Sequence, residues 1–78
     1  MTRTELAEVF SGALNLPTGT DVESMQIGTN PEWDSIGHMA LVAELEERCS
    51  IMLDTDDIIE MDSFAKVVEI LGRYGVQL

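Results

Sequence analysis

Three stretches of this chain repeat their apolar residues at helical spacing, and none alternates convincingly at the two-residue period of a strand. That pattern confines the fold to packed helices. Leu6, Val9, Phe10, Ala13 and Leu14 share one helical face. Leu41, Val42, Leu45 and Cys49 share a second, with His38 on the same side, and Phe64, Val67, Val68 and Leu71 share a third, with Tyr74 close by. Thr2 and Glu5 have capping-box spacing at the start of the first helix, and Pro17 with Gly19 is expected to stop it. The second helix is expected from Ser35 to Cys49. A short third over Asp54–Glu60 is expected to be capped by Asp54, and a fourth to begin near Asp62 and weaken at Gly72 and Gly75.

Between the first two helices, residues 15–34 lose all periodicity. Gly19, Gly28, Asn30 and Pro31 break regular structure, while Val22, Met25, Ile27 and Trp33 are spaced as apolar anchors. A loop of this length inside a small domain is functional or disordered. Its four anchors favour an ordered loop draped over the core, with a helical turn near Asp21–Met25. The expected fold is all-α, a small bundle of four helices (three longer, one short) with a long ordered loop between the first two, in one domain over residues 1–78.

Fifteen acids against four bases give a formal net charge of −11. Such a surface repels nucleic-acid phosphates and anionic lipids, attracts basic protein surfaces, and favours a monomer. The chain has one cysteine and no long apolar run near Met1, so the reading is a cytoplasmic protein without an internal disulfide, signal peptide or membrane insertion.

The second helix carries two apolar stripes. Opposite the core stripe, Ile36, Ala40, Ala43 and Glu47 form an i, i+4, i+7, i+11 row, flanked by Glu44 and Glu46. An exposed apolar strip edged by acids suits docking of basic partners. The plainer reading is that alanines are good helix formers and single exposed apolar residues are ordinary.

Ser35 stands where that helix begins, and it admits three roles. A catalytic nucleophile needs a base and an oxyanion site. The single histidine, His38, lies one turn along the same helix with nothing to orient it, and Trp33-Asp34-Ser35-Ile36-Gly37 lacks the first glycine and the preceding strand of a nucleophile elbow. A helix cap is locally the favoured reading, although Asp34 serves that purpose equally well. An attachment point is the third: a phosphodiester on Ser35 would meet the free N–H groups and dipole of the helix N-terminus.

The run Trp33-Asp34-Ser35-Ile36, followed by Leu41-Val42-Ala43-Glu44-Leu45-Glu46-Glu47, resembles the acyl carrier protein family. The resemblance extends from Asp34 to Leu71, and the first helix and long loop fit it too. It implies a bundle of acyl-carrier type in which a phosphopantetheinyl transferase adds 4′-phosphopantetheine from coenzyme A to Ser35. The arm's thiol then holds an acyl or aminoacyl group as a thioester. The chain would be no enzyme; it would present cargo to a loading enzyme and downstream transferases with basic patches. Asp34, Ile36, Ala40, Ala43, Glu44, Glu46 and Glu47 would dock those partners, and His38 and Met39 are candidates for contact with the arm or a cargo cavity. Gly37 and Ala40 stand where many fatty-acid carriers have acids, and Cys49 where an aromatic is common. These departures imply a dedicated carrier of a specialised pathway. An unmodified acidic interaction module with a carrier-like fold is the alternative.

Three features have plainer readings. His38 fits a boundary histidine bonded to a loop carbonyl, and Cys49 a small buried apolar group. Among Asp54, Asp56, Asp57, Glu60 and Asp62, Ile58 and Ile59 fill the fifth and sixth places of a calcium loop begun at Asp54, so the EF-hand pattern fails.

Overall fold

Each of the longer helices begins where a side chain closes its first turn. In the computed structural model, which describes residues 1–78, α1 runs over Arg3–Leu14, α2 over Ser35–Cys49, α3 over Thr55–Glu60 and α4 over Phe64–Arg73. There are no strands, and three of the four helices exceed six residues. The capping box of α1 is complete: the Glu5 N–H donates to Thr2 Oγ1 at 3.1 Å and the Thr2 N–H to Glu5 Oε1 at 2.9 Å. The donation from the Thr2 N–H, helped by the Thr2 hydroxyl, holds the Glu5 carboxyl below its ordinary range. Ser63 caps α4, accepting from the Lys66 N–H at 3.1 Å.

The second helix ends at Cys49 as expected, whereas the stop of α1 and the starts of α3 and α4 differ in detail from expectation. The first helix stops before Pro17. Asn15 turns into the left-handed region (φ 55°), which asparagine tolerates, and the N–H groups of Asn15 and Leu16 both donate to the Ser11 carbonyl. Ser50 ends α2 the same way (φ 53°), with its own and the Ile51 N–H on the Glu46 carbonyl. Asp54 precedes α3 without capping it through its side chain, and α4 begins at Phe64 rather than Asp62.

The core forms from all parts of the chain. Leu6, Val9, Phe10 and Leu14 of α1 pack with Leu41, Val42 and Leu45 of α2 and with Phe64, Val67, Ile70 and Leu71 of α4. Val68, expected inward, is half-buried, while Ile70, outside the expected stripe, is buried; the two flank the apolar stripe of α4 on opposite sides, and periodicity alone does not choose between flanks. Phe10 joins the aromatic residues, meeting Trp33 edge-on at 5.2 Å and Phe64 at 5.1 Å.

The long loop is ordered by its anchors and by backbone stitching. Val22, Met25 and Trp33 are buried and Ile27 is half-buried, with a 3₁₀ turn at Val22–Ser24. The Ile27 N–H donates to the Asp62 carbonyl at 2.8 Å and the Phe64 N–H to the Met25 carbonyl at 3.2 Å, tying the loop to the α3–α4 link. The loop therefore arrives at Asp34 as fixed structure.

Candidate functional site

The first turn of α2 is built by three constraints. Asp34 is the cap: its Oδ1 accepts from the Gly37 N–H at 2.8 Å, and its carbonyl from the His38 N–H at 2.8 Å. Gly37 lets this turn sit close to the end of α1, since a Cβ there would come within 2.8 Å of Leu14 Cδ2 and 2.9 Å of the Glu32 carbonyl oxygen. His38 turns inward.

Ser35 is left exposed at the first position of the helix. Asp34 has taken the capping role, so the Ser35 hydroxyl makes no hydrogen bond within the chain, and neither do the backbone N–H groups of Ser35 and Ile36. A free hydroxyl thus stands beside two free donors at the positive end of a fifteen-residue helix. These are the features that a phosphodiester on this serine would use.

His38 is buried, at 8% exposure, against a fully buried Trp33. The Trp33 indole Nε1–H donates to His38 Nδ1 at 3.0 Å, and His38 Nε2 lies 2.7 Å from the Ile58 carbonyl oxygen. An indole only donates, so Nδ1 must accept, and the proton therefore sits on Nε2 and is given to Ile58. Both ring nitrogens are engaged. None is left for the phosphate contact that the sequence permits, and the carbonyl partner belongs to α3.

The row expected to face outward does so, but its flanking acids differ in availability. Ile36 is 83% exposed and Met39 57%, with Ala43 and Glu47 exposed along the same side. Ala40, though exposed, lies on the α1 side, in an open groove of about 430 Å³ between Glu8, Gly12 and Ala13 of α1 and Glu44 and Arg48 of α2. Glu44 pairs with Arg48 at 3.0 Å. Glu46 is half-buried and accepts from the Leu53 N–H at 2.9 Å, so its carboxylate holds the turn after α2. Glu47 alone of the three makes no bond to another side chain or to the backbone. Met52 and Ile59 are further exposed apolar side chains that periodicity did not single out, because one lies outside any helix and the other on a helix of six residues.

Cys49 is half-buried rather than buried, and partial burial pushes its thiol up from the ordinary value. No three histidine, cysteine or carboxylate side chains converge to hold a metal ion. No helix is long and apolar enough to cross a membrane. No family model, curated protein or solved structure matches the chain.

Proposed function

We propose that this chain is a stand-alone carrier protein that receives 4′-phosphopantetheine on Ser35 and presents an acyl or aminoacyl group to partner enzymes of a specialised pathway. One observation carries the reading: Asp34 caps α2, which leaves the Ser35 hydroxyl exposed and unbonded beside free backbone donors. A serine needed as a cap would be occupied. This one is available to a transferase, and its surroundings favour the anion that attachment creates. The arm, when attached, supplies the thiol that carries cargo. The chain's own residues hold the serine at the surface, favour a phosphate there, and offer Ile36, Met39, Ala43 and Glu47 as the face that partners meet. The resemblance of residues 33–47 to acyl carrier proteins supports the same reading.

Intact-mass spectrometry tests it directly. After incubation with coenzyme A, Mg²⁺ and a broad-specificity phosphopantetheinyl transferase, the parent chain should gain one arm and Ser35→Ala none, with unchanged circular dichroism. Failure of the folded parent to gain mass with several transferases would sink the carrier reading. The second reading, an unmodified acidic interaction module, is favoured by the exposure of Ile36, Met39, Met52 and Ile59 on an acidic surface. Under it, Ser35→Ala keeps full partner binding.

A further inference from the structure

The bonds made by the His38 ring bracket the serine. Trp33 lies two residues before Ser35 and His38 three residues after, and their side chains are joined at 3.0 Å beneath the turn that carries the hydroxyl. The same ring reaches across to the Ile58 carbonyl in the last turn of α3. We infer that His38 is a positioning residue, which holds the Ser35 turn in one geometry by fastening the loop and α3 to the first turn of α2.

The surrounding structure shows why this ring is needed. Trp33 is fully buried, and its indole N–H has no other partner. With His38 replaced by an apolar residue, that donor would be stranded in the core, and burial without a partner drives the indole to shift toward one. Any such shift pulls on Asp34 and Ser35, the next two residues. On the other side, α3 has no fully buried residue of its own, so its placement beside α2 leans on polar bonds, the His38–Ile58 bond among them. The Asp34 cap fixes only the backbone within the first turn; the His38 ring fixes where that turn sits against the loop and α3. Phe10, edge-on to Trp33 and tilted at 48° against Phe64, carries the arrangement into the core between α1 and α4.

Three variants test the inference: His38→Leu removes both bonds, His38→Gln restores one acceptor and one donor, and Trp33→Phe removes the indole donor while keeping an aromatic ring. The first readout is hydrogen exchange at the Trp33 indole and at the Gly37, His38 and Met39 amides, and it is independent of the carrier reading. His38→Leu should speed exchange at these amides by about tenfold or more relative to amides in the middle of α1 and α4, and His38→Gln should return most of the protection. The second readout rests on the carrier reading: transferase kinetics on the apo chain should show a loss of about tenfold in kcat for His38→Leu, with KM changed less, and recovery in His38→Gln. Uniform acceleration of exchange across all helices would reduce His38 to a general stabiliser and overturn the proposal, as would a folded His38→Leu that is modified at the parent rate. If His38→Leu does not fold, Trp33→Phe takes its place, with faster local exchange expected at the same amides and parent-like exchange overturning it. If the parent is not modified at all, the carrier reading fails and the exchange experiment still decides on His38.

Discussion

A Cβ added at Gly37 would lie 2.9 Å from the Glu32 carbonyl oxygen and 3.3 Å from Asp34 Oδ1, and the first of these is backbone that cannot swing away. The contact with Leu14 Cδ2, at 2.8 Å, is softer because a side-chain methyl can rotate. Two effects compete in Gly37→Ala. Alanine gains up to about 1 kcal/mol of helix propensity over glycine, less at a first turn, while forcing atoms into a packed site costs about 1–3 kcal/mol. The clash should win. Urea denaturation should show a net loss of about 1–2 kcal/mol, and a stabilised variant would mean that the close approach of α2 to residue 32 is absent. The same crowding excludes larger side chains, acidic ones included, which would have to enter the space held by Glu32 and the end of α1. Ser35 is spared this crowding because the cap, the close approach and the buried ring all belong to its neighbours.

At the scale of elements, α3 is the part held least by apolar burial and most by polar bonds. On the α4 side, Tyr74 Oη donates to Asp57 Oδ2 at 2.5 Å and accepts from the Asp54 N–H at 3.0 Å, and Arg73 pairs with Asp57 at 3.2 Å. The bond to Asp57 raises the Tyr74 phenol above its ordinary value of 10.0, since ionisation would set two anions against each other. A folded-state value raised above the unfolded one contributes stability that is complete below pH 10 and lost as pH climbs through the raised value. Thermal melts from pH 8 to 11 should therefore show the parent losing its advantage over Tyr74→Phe as the phenol ionises; a constant gap would mean that the Tyr74–Asp57 bond contributes nothing. This clamp shows where reading from sequence stops. Helices α1, α2 and α4 announce themselves through stripes and caps, because both are local: Thr2 with Glu5, and Leu41, Val42 and Leu45, lie within a few residues of one another. The order of the loop was legible from its anchors. What joins Tyr74 to Asp57, His38 to Ile58 and Glu46 to Leu53 was not, since those partners meet only after the chain folds back, and no spacing encodes them. Asp54 illustrates the limit, because a good capping residue in a good place leaves the capping bond unmade and gives its N–H to Tyr74. The residues around Ser35 left it open between cap and attachment point, and its freedom from capping became visible only once Asp34 was seen on the Gly37 N–H.

For the whole molecule, charge is the dominant long-range term. Its four bases are all committed: Arg3 to Glu23, Arg48 to Glu44, Lys66 to Glu69, and Arg73 to Asp57, Glu60 and Glu69. Those bases touch five of the fifteen acids, so ten carboxylates have no cation beside them and carry most of the net charge of −11, spread over a body of 29 × 23 × 19 Å. Repulsion across such distances is felt at low ionic strength and screened once the Debye length falls below about 10 Å, near 0.1 M salt. Salt also weakens the surface pairs, but these are worth about 0–1 kcal/mol each at best, and most of them are half exposed. Relief of repulsion should outweigh that loss. Raising sodium chloride from 10 to about 300 mM should lift the melting temperature by roughly 4–8 °C, which corresponds to about 1 kcal/mol for a domain of this size. Magnesium should act at lower concentration than sodium without a sharp stoichiometric endpoint, because no three carboxylates converge on one point. A melting temperature that is flat or falls with sodium chloride would show that the ion pairs outweigh the net charge. A sharp one-to-one magnesium endpoint would show that a defined cation site forms on this surface. The same argument bears on the proposed carrier role: with every base paired internally, a basic partner would meet unopposed carboxylates, and Glu47, exposed and unbonded on the same side of α2 as Ala43, would be the one nearest the proposed docking row.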